Sequence, residues 1–160
     1  MDETDPTVAE LVARVQRLED ERDITRLLTR YGFAVDVGDA DATAALYADD
    51  AVIDLGPTSR FEGVDGARQL VLDERHQAIV GRCAHTMGPF VVDVEVDDDE
   101  ARATGYVRVY VTDEAGSPAL WRIGFTTFEL RRAEGRWLIT HRLSRTVGTD
   151  DGPDVLRRGL

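Results

Sequence analysis

The sequence predicts an α+β fold in which N-terminal helices close a curved antiparallel sheet into a cone. Apolar residues recur every three to four positions in the first half of the chain, a spacing typical of helices. From Cys83 onward the spacing falls to two, which is typical of strands. Since the helices come first and the strands follow, we expect the helices to cover one face of the sheet.

The first helix is predicted to start at Asp5-Pro6-Thr7, where an aspartate can act as N-cap and a proline occupies the first turn. The apolar pattern continues from Ile24 to Val35, and the charged run 19–22 marks an expected kink or break. Gly38 is the predicted end of the helix. The first part of the helix carries apolar residues at helical spacing: Val8, Leu11, Val12, Val15 and Leu18.

Shorter elements are predicted before the main sheet. Asp39 and Asp41 can cap a helix over 42–47, and the run 51–55 is strand-like. A third helix is expected after Gly63. Its inner face would carry Ala67, Leu70 and Val71.

The second half of the chain is predicted to form four long strands joined by short turns. Short links between consecutive strands favour an antiparallel meander. A chain of 160 residues fits one domain, with loose ends at about 1–5 and 148–160. The predicted strands span 83–96, 101–112, 119–131 and 136–147, with acidic, Gly-containing or Pro-containing turns between them.

Composition excludes several classes of function. The net charge of -12 argues against a nucleic-acid surface, since phosphate binding needs clustered Lys and Arg. No stretch approaches the roughly 20 apolar residues of a membrane span, and the N-terminus lacks the features of a signal peptide. We therefore expect a cytoplasmic protein whose partners are small molecules or copies of itself. The single Cys83 allows no disulfide within the chain and is expected to be a small buried hydrophobe.

The candidate site begins with the run from Tyr31 to Asp50, which places carboxylates and phenols along the edge of an apolar helix. Together with His85, this run indicates a small acid/base pocket. The open end of a cone is a usual place for a ligand pocket. The alternative reading is structural, with Asp36 accepting hydrogen bonds at a helix end and His85 lying in the core. His76, in a charged stretch, is expected at the surface.

Alternation along the four strands groups the side chains that could line this pocket, although a period of two does not say which face is concave. The groups mix aromatic, apolar and a few polar residues, which suits a pocket better than a solvated surface. They are His85, Met87, Pro89 and Val91; Tyr106, Arg108 and Tyr110; Trp121, Ile123, Phe125 and Thr127; and Trp137, Ile139, His141 and Leu143.

The order of elements and several phrases resemble one known family from about Val8 to Val147. The phrases are LEDERDITRLLTRYGFAVDVGDADATAALYADDAVID, GVDGARQLV, AHTMGPFVVDVEVDDDEARATGYVRVYV and GRWLITHRL. They resemble the SnoaL-like branch of the nuclear transport factor 2-like superfamily. The resemblance implies a cystatin-like α+β cone around a hydrophobic cavity. Members include dehydratases related to scytalone and bile-acid dehydratases, polyketide cyclases, ketosteroid isomerases, epoxide hydrolases and non-catalytic binders.

The resemblance also implies roles for three residues. Tyr31 and Asp36 match a Tyr-x4-Asp pattern at the end of the long helix, and His85 matches the strand histidine of the dehydratase-like members. In those relatives the aspartate orients a histidine that acts as general base and acid, while tyrosines polarise a substrate carbonyl. The implied catalytic residues are therefore Asp36, His85 and Tyr31. Tyr47 or Tyr110 is a further candidate donor to a developing enolate.

The sequence departs from the family's patterns in places. The strand after His85 offers Tyr106, Arg108 and Tyr110 where scytalone dehydratase-like sites have a second histidine, and whether His141 substitutes is left open. The epoxide hydrolase pattern is not met, because Arg108 has a tyrosine two residues along. The implied substrate-binding residues are Tyr47, Met87, Tyr106, Arg108, Tyr110, Trp121, Phe125 and His141.

Cofactor-free acid/base chemistry is the reaction type that the sequence favours. Three separated histidines and one cysteine give no recognisable metal-ligand spacing, so no metal or cofactor is expected. The predicted function is a dehydratase, isomerase or cyclase acting on a small, largely apolar carbonyl or hydroxyl metabolite such as a polyketide, steroid or aromatic compound. The alternative is a non-catalytic binding or assembly subunit. Either protein is expected to form a homo-dimer or homo-trimer.

Overall fold

The fold is α+β, as the sequence predicts, with one six-stranded sheet. A computed structural model describes residues 5–94 and 99–160. The helices are α1 (Val8–Val37), α2 (Ala40–Ala44), α3 (Gly63–Leu72), α4 (Glu74–Gln77) and α5 (Gly152–Arg157). The strands are β1 (Tyr47–Asp54), β2 (Arg60–Glu62), β3 (Cys83–Val94), β4 (Glu100–Thr112), β5 (Pro118–Ala133) and β6 (Arg136–Thr146).

The predicted antiparallel meander is formed by β3, β4, β5 and β6. The sheet continues from β6 to β1, which runs parallel to it, and ends at β2. Its order, β2-β1-β6-β5-β4-β3, leaves the sheet open at both edges. Helix α1 packs against β3 and contacts β6, and we call the face of the sheet that it covers the inner face.

Helix α1 runs without interruption for 30 residues, so the break expected at 19–22 does not occur. Within that run Asp20 faces inward and is only 4% exposed. Its carboxylate accepts hydrogen bonds from Arg132 at 2.8 Å and from the Trp137 indole at 3.3 Å. The charge is therefore compensated by the sheet. The helix ends at Gly38 in the left-handed conformation, as predicted, but its N-cap is Thr7 rather than Asp5.

The two halves of α1 differ in burial. The apolar residues between Val8 and Leu18 recur at helical spacing, but they are exposed. The second half supplies Ile24, Leu28 and Val35 to the core, where they meet side chains of the sheet such as Phe128 and Ile139. The part of α1 next to the sheet therefore holds the residues that resemblance assigned to the site.

Other boundaries shift by a few residues. The short helix predicted over 42–47 is α2, which ends at Ala44, and Tyr47 instead begins β1. The segment 148–160, expected to be loose, contains α5, with Val155 buried against the sheet. The predicted loose residues 1–4, and the predicted strand end and acidic turn at 95–98, lie outside the described residues. None of the helices in the described part combines the length and the apolar character that a membrane span requires.

Three bulges between the antiparallel strands β3 to β6 change which side chains face inward. Gly88 and Pro89 of β3 lie opposite one residue of β4, and Trp121 of β5 and Thr140 of β6 are each an extra residue without a partner. An extra residue reverses the inward and outward order of every side chain that follows it. The bulges therefore decide the composition of the cavity described below.

Candidate active site

A close approach of α1 to β3 builds the site. Gly32 has no side chain, and a Cβ added there would lie 2.8 Å from the His85 carbonyl oxygen and 3.0 Å from Met87 Cγ. Real Cβ contacts are essentially never that short, so glycine allows the strand to sit directly against the helix. One helical turn later, Asp36 projects from the same face of α1 toward the same strand.

Asp36 and His85 form a hydrogen-bonded pair, at the distance that an acid/base dyad requires. The His85 ring Nδ1 lies 2.6 Å from Asp36 Oδ1, and the His85 main-chain N–H donates to Oδ2 at 2.9 Å. Both side chains are largely buried, at 12% exposure for His85 and 20% for Asp36. Because the carboxylate can only accept, Nδ1 carries the proton, and the lone pair of the neutral ring lies on Nε2. Within the described residues Nε2 has no hydrogen-bond partner.

The carboxylate of Asp36 is held in its ionised form. Burial alone would raise its pKa, but the hydrogen bonds from the His85 ring and main chain outweigh burial and lower the pKa below its ordinary value. Cys83 also donates to Asp36 Oδ1, at 3.3 Å. Burial, followed by the neighbouring carboxylate, raises the pKa of the Cys83 thiol to about 12, which keeps the thiol protonated. Cys83 is thus a third donor to Asp36 rather than only a small hydrophobe.

A cavity of about 170 Å³ lies beside the pair, between α1, the α3–α4 segment and the inner face of the sheet. His85 and Tyr31 both line it. About half of its wall is apolar, and this part includes Val35, Leu55, Phe61, Leu70, Ile79 and Val107. Apolar side chains combined with convergent polar groups are typical of a small-molecule site.

Arg142 and Tyr31 form the second polar group of the cavity. Arg142 is 6% exposed, and its Nη1 donates to the Tyr31 hydroxyl while its Nε donates to Ser144 Oγ at 3.2 Å. The guanidinium carbon lies 4.9 Å from the centre of the Tyr31 ring and 5.5 Å from that of Phe128. Tyr31 therefore accepts from a buried cation, and its own O–H remains available to a ligand.

Arg122 is a second arginine on the cavity wall. It is partly buried, and among the described residues it has no hydrogen bond and no carboxylate within ion-pair distance. Burial and, next, the positive charge of Arg142 lower its pKa. The two guanidinium groups are therefore close enough to affect each other.

His76 also lines the cavity, whereas the sequence indicated a surface residue. Its Nε2 lies 2.8 Å from the Val35 carbonyl, so Nε2 carries the proton. The ring centre is 5.8 Å from that of His85. A charged sequence context suggested exposure, but α4 turns the imidazole back toward the end of α1.

Five of the implied substrate-binding residues lie on the outer face of the sheet, away from the cavity. On β4, Val107 and Val109 face inward. Tyr106, Arg108 and Tyr110 alternate with them and therefore lie on the outer face. On β6, the bulge at Thr140 turns Arg142 inward and His141 outward, toward Glu129. The five residues are Tyr106, Arg108, Tyr110, Phe125 and His141.

The outer position explains what these residues contact. Arg108 donates to the Gly88 carbonyl at 3.0 Å and lies 5.5 Å from the Tyr106 ring centre. Tyr106 in turn packs edge-on against Phe125. On β3 the bulge likewise moves Pro89 and Val91 to the outer face, where both are exposed.

Of the other three implied residues, Trp121 lines the cavity, whereas Tyr47 and Met87 pack in the core. Trp121, at the β5 bulge, lines its edge and is 58% exposed. Tyr47 is 3% exposed and packs edge-on against Tyr31, but its hydroxyl makes no hydrogen bond to the described residues. Met87 packs against the core beside Gly32.

Asp36, Cys83 and His85 also offer ligand atoms within 4.8 Å of one another, which could suit a metal ion. The donor set fits a hydrogen-bonded cluster better. Three groups already donate to the carboxylate, which leaves fewer of its lone pairs for an ion.

The comparisons place this chain and its fold in a known family. Residues 16–143 match the family model described as a SnoaL-like domain, which covers most of the chain. The protein therefore belongs to the SnoaL-like family, within the nuclear transport factor 2-like superfamily. No curated protein matches the sequence significantly.

Solved structures share the fold at low sequence identity. An NTF2-like protein with a cystatin-like fold from Novosphingobium aromaticivorans is 28% identical, with a TM-score of 0.87 over 96% of this chain and 98% of that one. A candidate scytalone dehydratase from the same organism is 21% identical, with a TM-score of 0.69 over 82% and 86%. Aln2 from a Streptomyces species is 20% identical, with a TM-score of 0.72 over 89% and 96%. The last two comparisons show the fold alone.

Proposed function

We propose that this protein is a cofactor-independent acid/base enzyme, a dehydratase or an isomerase or cyclase, that acts on a small carbonyl or hydroxyl metabolite. The observation that carries the proposal is the 2.6 Å contact between Asp36 and His85 beside a cavity that both His85 and Tyr31 line. A dehydratase candidate of the same fold is consistent with this reaction type. A polyketide, steroid or aromatic compound remains the expected substrate class.

His85 acts as the base in this proposal. Its Nε2 removes a proton from a carbon next to a carbonyl. The electron pair of that C–H bond becomes the C=C bond of the enolate, and the π pair of the carbonyl moves onto its oxygen. Asp36 holds Nδ1–H, which fixes the tautomer and stabilises the imidazolium that results. A general base of this kind contributes about a hundredfold or more to the rate.

Tyr31 and Arg142 stabilise the enolate. The Tyr31 hydroxyl donates to the developing oxyanion, and the buried charge of Arg142 behind it favours the extra electron density. Next to a buried guanidinium, such a contact lowers the barrier by about 3 kcal/mol.

The proton on His85 then has two fates. Returned to a different carbon, it completes an isomerisation. Delivered to a hydroxyl group on the adjacent carbon, it lets that group leave as water while a C=C bond forms, which completes a dehydration. His76, which also lines the cavity, is a second candidate for this transfer.

Assembly and location remain predictions. A homo-dimer or homo-trimer would cover the apolar side chains that the outer face of the sheet exposes, such as Tyr106, Leu120 and Val91. A cytoplasmic location is still expected from the sequence.

The test is deuterium incorporation from D₂O, followed by NMR, into a panel of enolisable ketones and β-hydroxy ketones. We expect incorporation by the wild type and its loss in His85→Ala. Arg102→Gln is the matched control, because Arg102 is exposed on β4 and lies outside the cavity. If panel members bind in the cavity and no deuterium is incorporated, the enzyme proposal is refuted. The alternative, a non-catalytic binding subunit, would then be favoured.

A further inference from the structure

Charge in the cavity is opposite in sign to that of the chain. The protein carries a net charge of -12 from 31 acidic and 19 basic residues, so carboxylates outnumber the cations that could pair with them. Arg122 and Arg142 nevertheless line the cavity without a carboxylate within ion-pair distance among the described residues. A partly buried, unpaired arginine is costly, because it has lost hydration without gaining a counter-ion.

The other charged groups of the wall balance each other. Asp73 and Arg75 lie at the rim, 3.1 Å apart, and Arg75 is largely exposed. Asp54, near the same end of the sheet, is bound by Arg145 at 2.7 Å. Neither acid is therefore free to neutralise Arg122.

The two cavity arginines differ in what they bind. Arg142 already donates to Tyr31 and Ser144. Arg122 has all its donors unused by described residues, and it lies within electrostatic range of both Arg142 and Tyr31. An anion bound to Arg122 would also relieve the repulsion between the two guanidinium groups.

We propose that the substrate carries a carboxylate, which Arg122 binds inside the cavity. The inference rests on the proposed function, since it names the class of compound that the Asp36–His85 pair acts on. A guanidinium matches a carboxylate through two parallel N–H···O contacts, and such a pair is strengthened where water is excluded. The apolar part of the wall and the volume of about 170 Å³ suit a small organic acid rather than a nucleotide.

Calorimetry with matched ligands tests the proposal. The probes are butyrate, benzoate, cinnamate and 1-naphthoate, each against its own amide, which keeps the shape and removes the charge. At about neutral pH and low salt, at least one acid should bind about tenfold or more tightly than its amide. Arg122→Met should abolish that preference, and Arg102→Gln should retain it. Circular dichroism checks the fold, and Arg122→Gln replaces the methionine variant if that variant does not fold.

Three results would overturn the carboxylate site. In the first, no acid binds more tightly than its amide. In the second, the preference for the acid over the amide persists in Arg122→Met. In the third, inorganic phosphate binds as tightly as the best acid. His85→Ala separates this inference from the proposed function. It should still bind the acids more tightly than their amides, and Arg122→Met should still abolish that preference, whether or not the wild type catalyses proton exchange. If the wild type exchanges no protons but still prefers acids to amides, the proposed enzyme activity is refuted and the carboxylate site at Arg122 is not.

Discussion

His85 is joined to Asp36 by two separate groups, its ring Nδ1 at 2.6 Å and its main-chain N–H at 2.9 Å. The carboxylate thus fixes both the orientation of the imidazole and the position of β3 against α1. The same aspartate therefore has a structural role and, in the proposed function, a catalytic role, and substitutions can separate the two.

Asp36→Asn is expected to destabilise the protein in a pH-dependent way. The pKa of Asp36 is lowered in the folded state from an ordinary value of 3.8, so the ionised carboxylate contributes stability above about pH 4 and loses it as the pH falls through the folded pKa. The difference in free energy of unfolding between wild type and variant should therefore be largest near neutral pH and shrink on acidification. Urea unfolding at several pH values measures it, and a difference that grows toward acid would show the reverse linkage.

Gly32→Ala is expected to separate α1 from β3. The added Cβ would meet the His85 carbonyl at 2.8 Å, a main-chain atom that cannot rotate away. We expect the free energy of unfolding to fall by about 1 to 2 kcal/mol, because the clash exceeds the gain in helix propensity. Proton exchange should slow as the pair with Asp36 is displaced. A variant more stable than the wild type would mean that the close approach is not needed.

Tyr31→Phe and Tyr47→Phe form a matched pair. Both rings are buried and pack against each other, but only the Tyr31 hydroxyl accepts from Arg142. Removing it leaves a buried cation short of an acceptor, so Tyr31→Phe should cost about 2 kcal/mol of stability and about a hundredfold in rate. Tyr47→Phe should change stability little, because its hydroxyl has no hydrogen bond to the described residues. Equal effects of the two changes, in thermal unfolding and in exchange rate, would contradict the assignment of Tyr31.

His141→Ala tests the placement of the outer face. The imidazole lies 3.6 Å from Glu129 on the side of the sheet away from the cavity. Because His141 lies outside the cavity, its removal should leave the rate of proton exchange within about twofold of the wild type. Loss of the contact with Glu129 should lower the free energy of unfolding by about 1 kcal/mol or less. Loss of exchange in this variant would place His141 in the site after all.

The sequence predicted the fold class, the antiparallel meander and the end of α1 at Gly38 because these follow from residue spacing and local conformation. The resemblance pointed to Asp36, His85 and Tyr31, which the structure brings together. The two cavity arginines were missed. Thr140 adds one residue to β6, so Arg142 replaces His141 on the inner face, and a period of two carries no sign of that shift.

Trp121 has the same effect on β5, where its extra residue aligns Arg122 with the inward-facing Val109. The uninterrupted α1 could not be predicted either, because the partner that compensates Asp20 is Arg132, far along the chain. A local charge run predicts a break only when no distant residue compensates it.

Proton exchange by a variant that lacks His85 tests most directly the claim that His85 is the base. Deuterium incorporation would be measured for wild type, for His85→Ala, and for His85→Ala with added imidazole, on the panel member that the wild type exchanges fastest. We predict a loss of about a hundredfold or more in His85→Ala, with a native circular dichroism spectrum, and a partial return of exchange with imidazole. Exchange by His85→Ala at the wild-type rate would contradict the account, because proton transfer would then not depend on the Asp36–His85 pair.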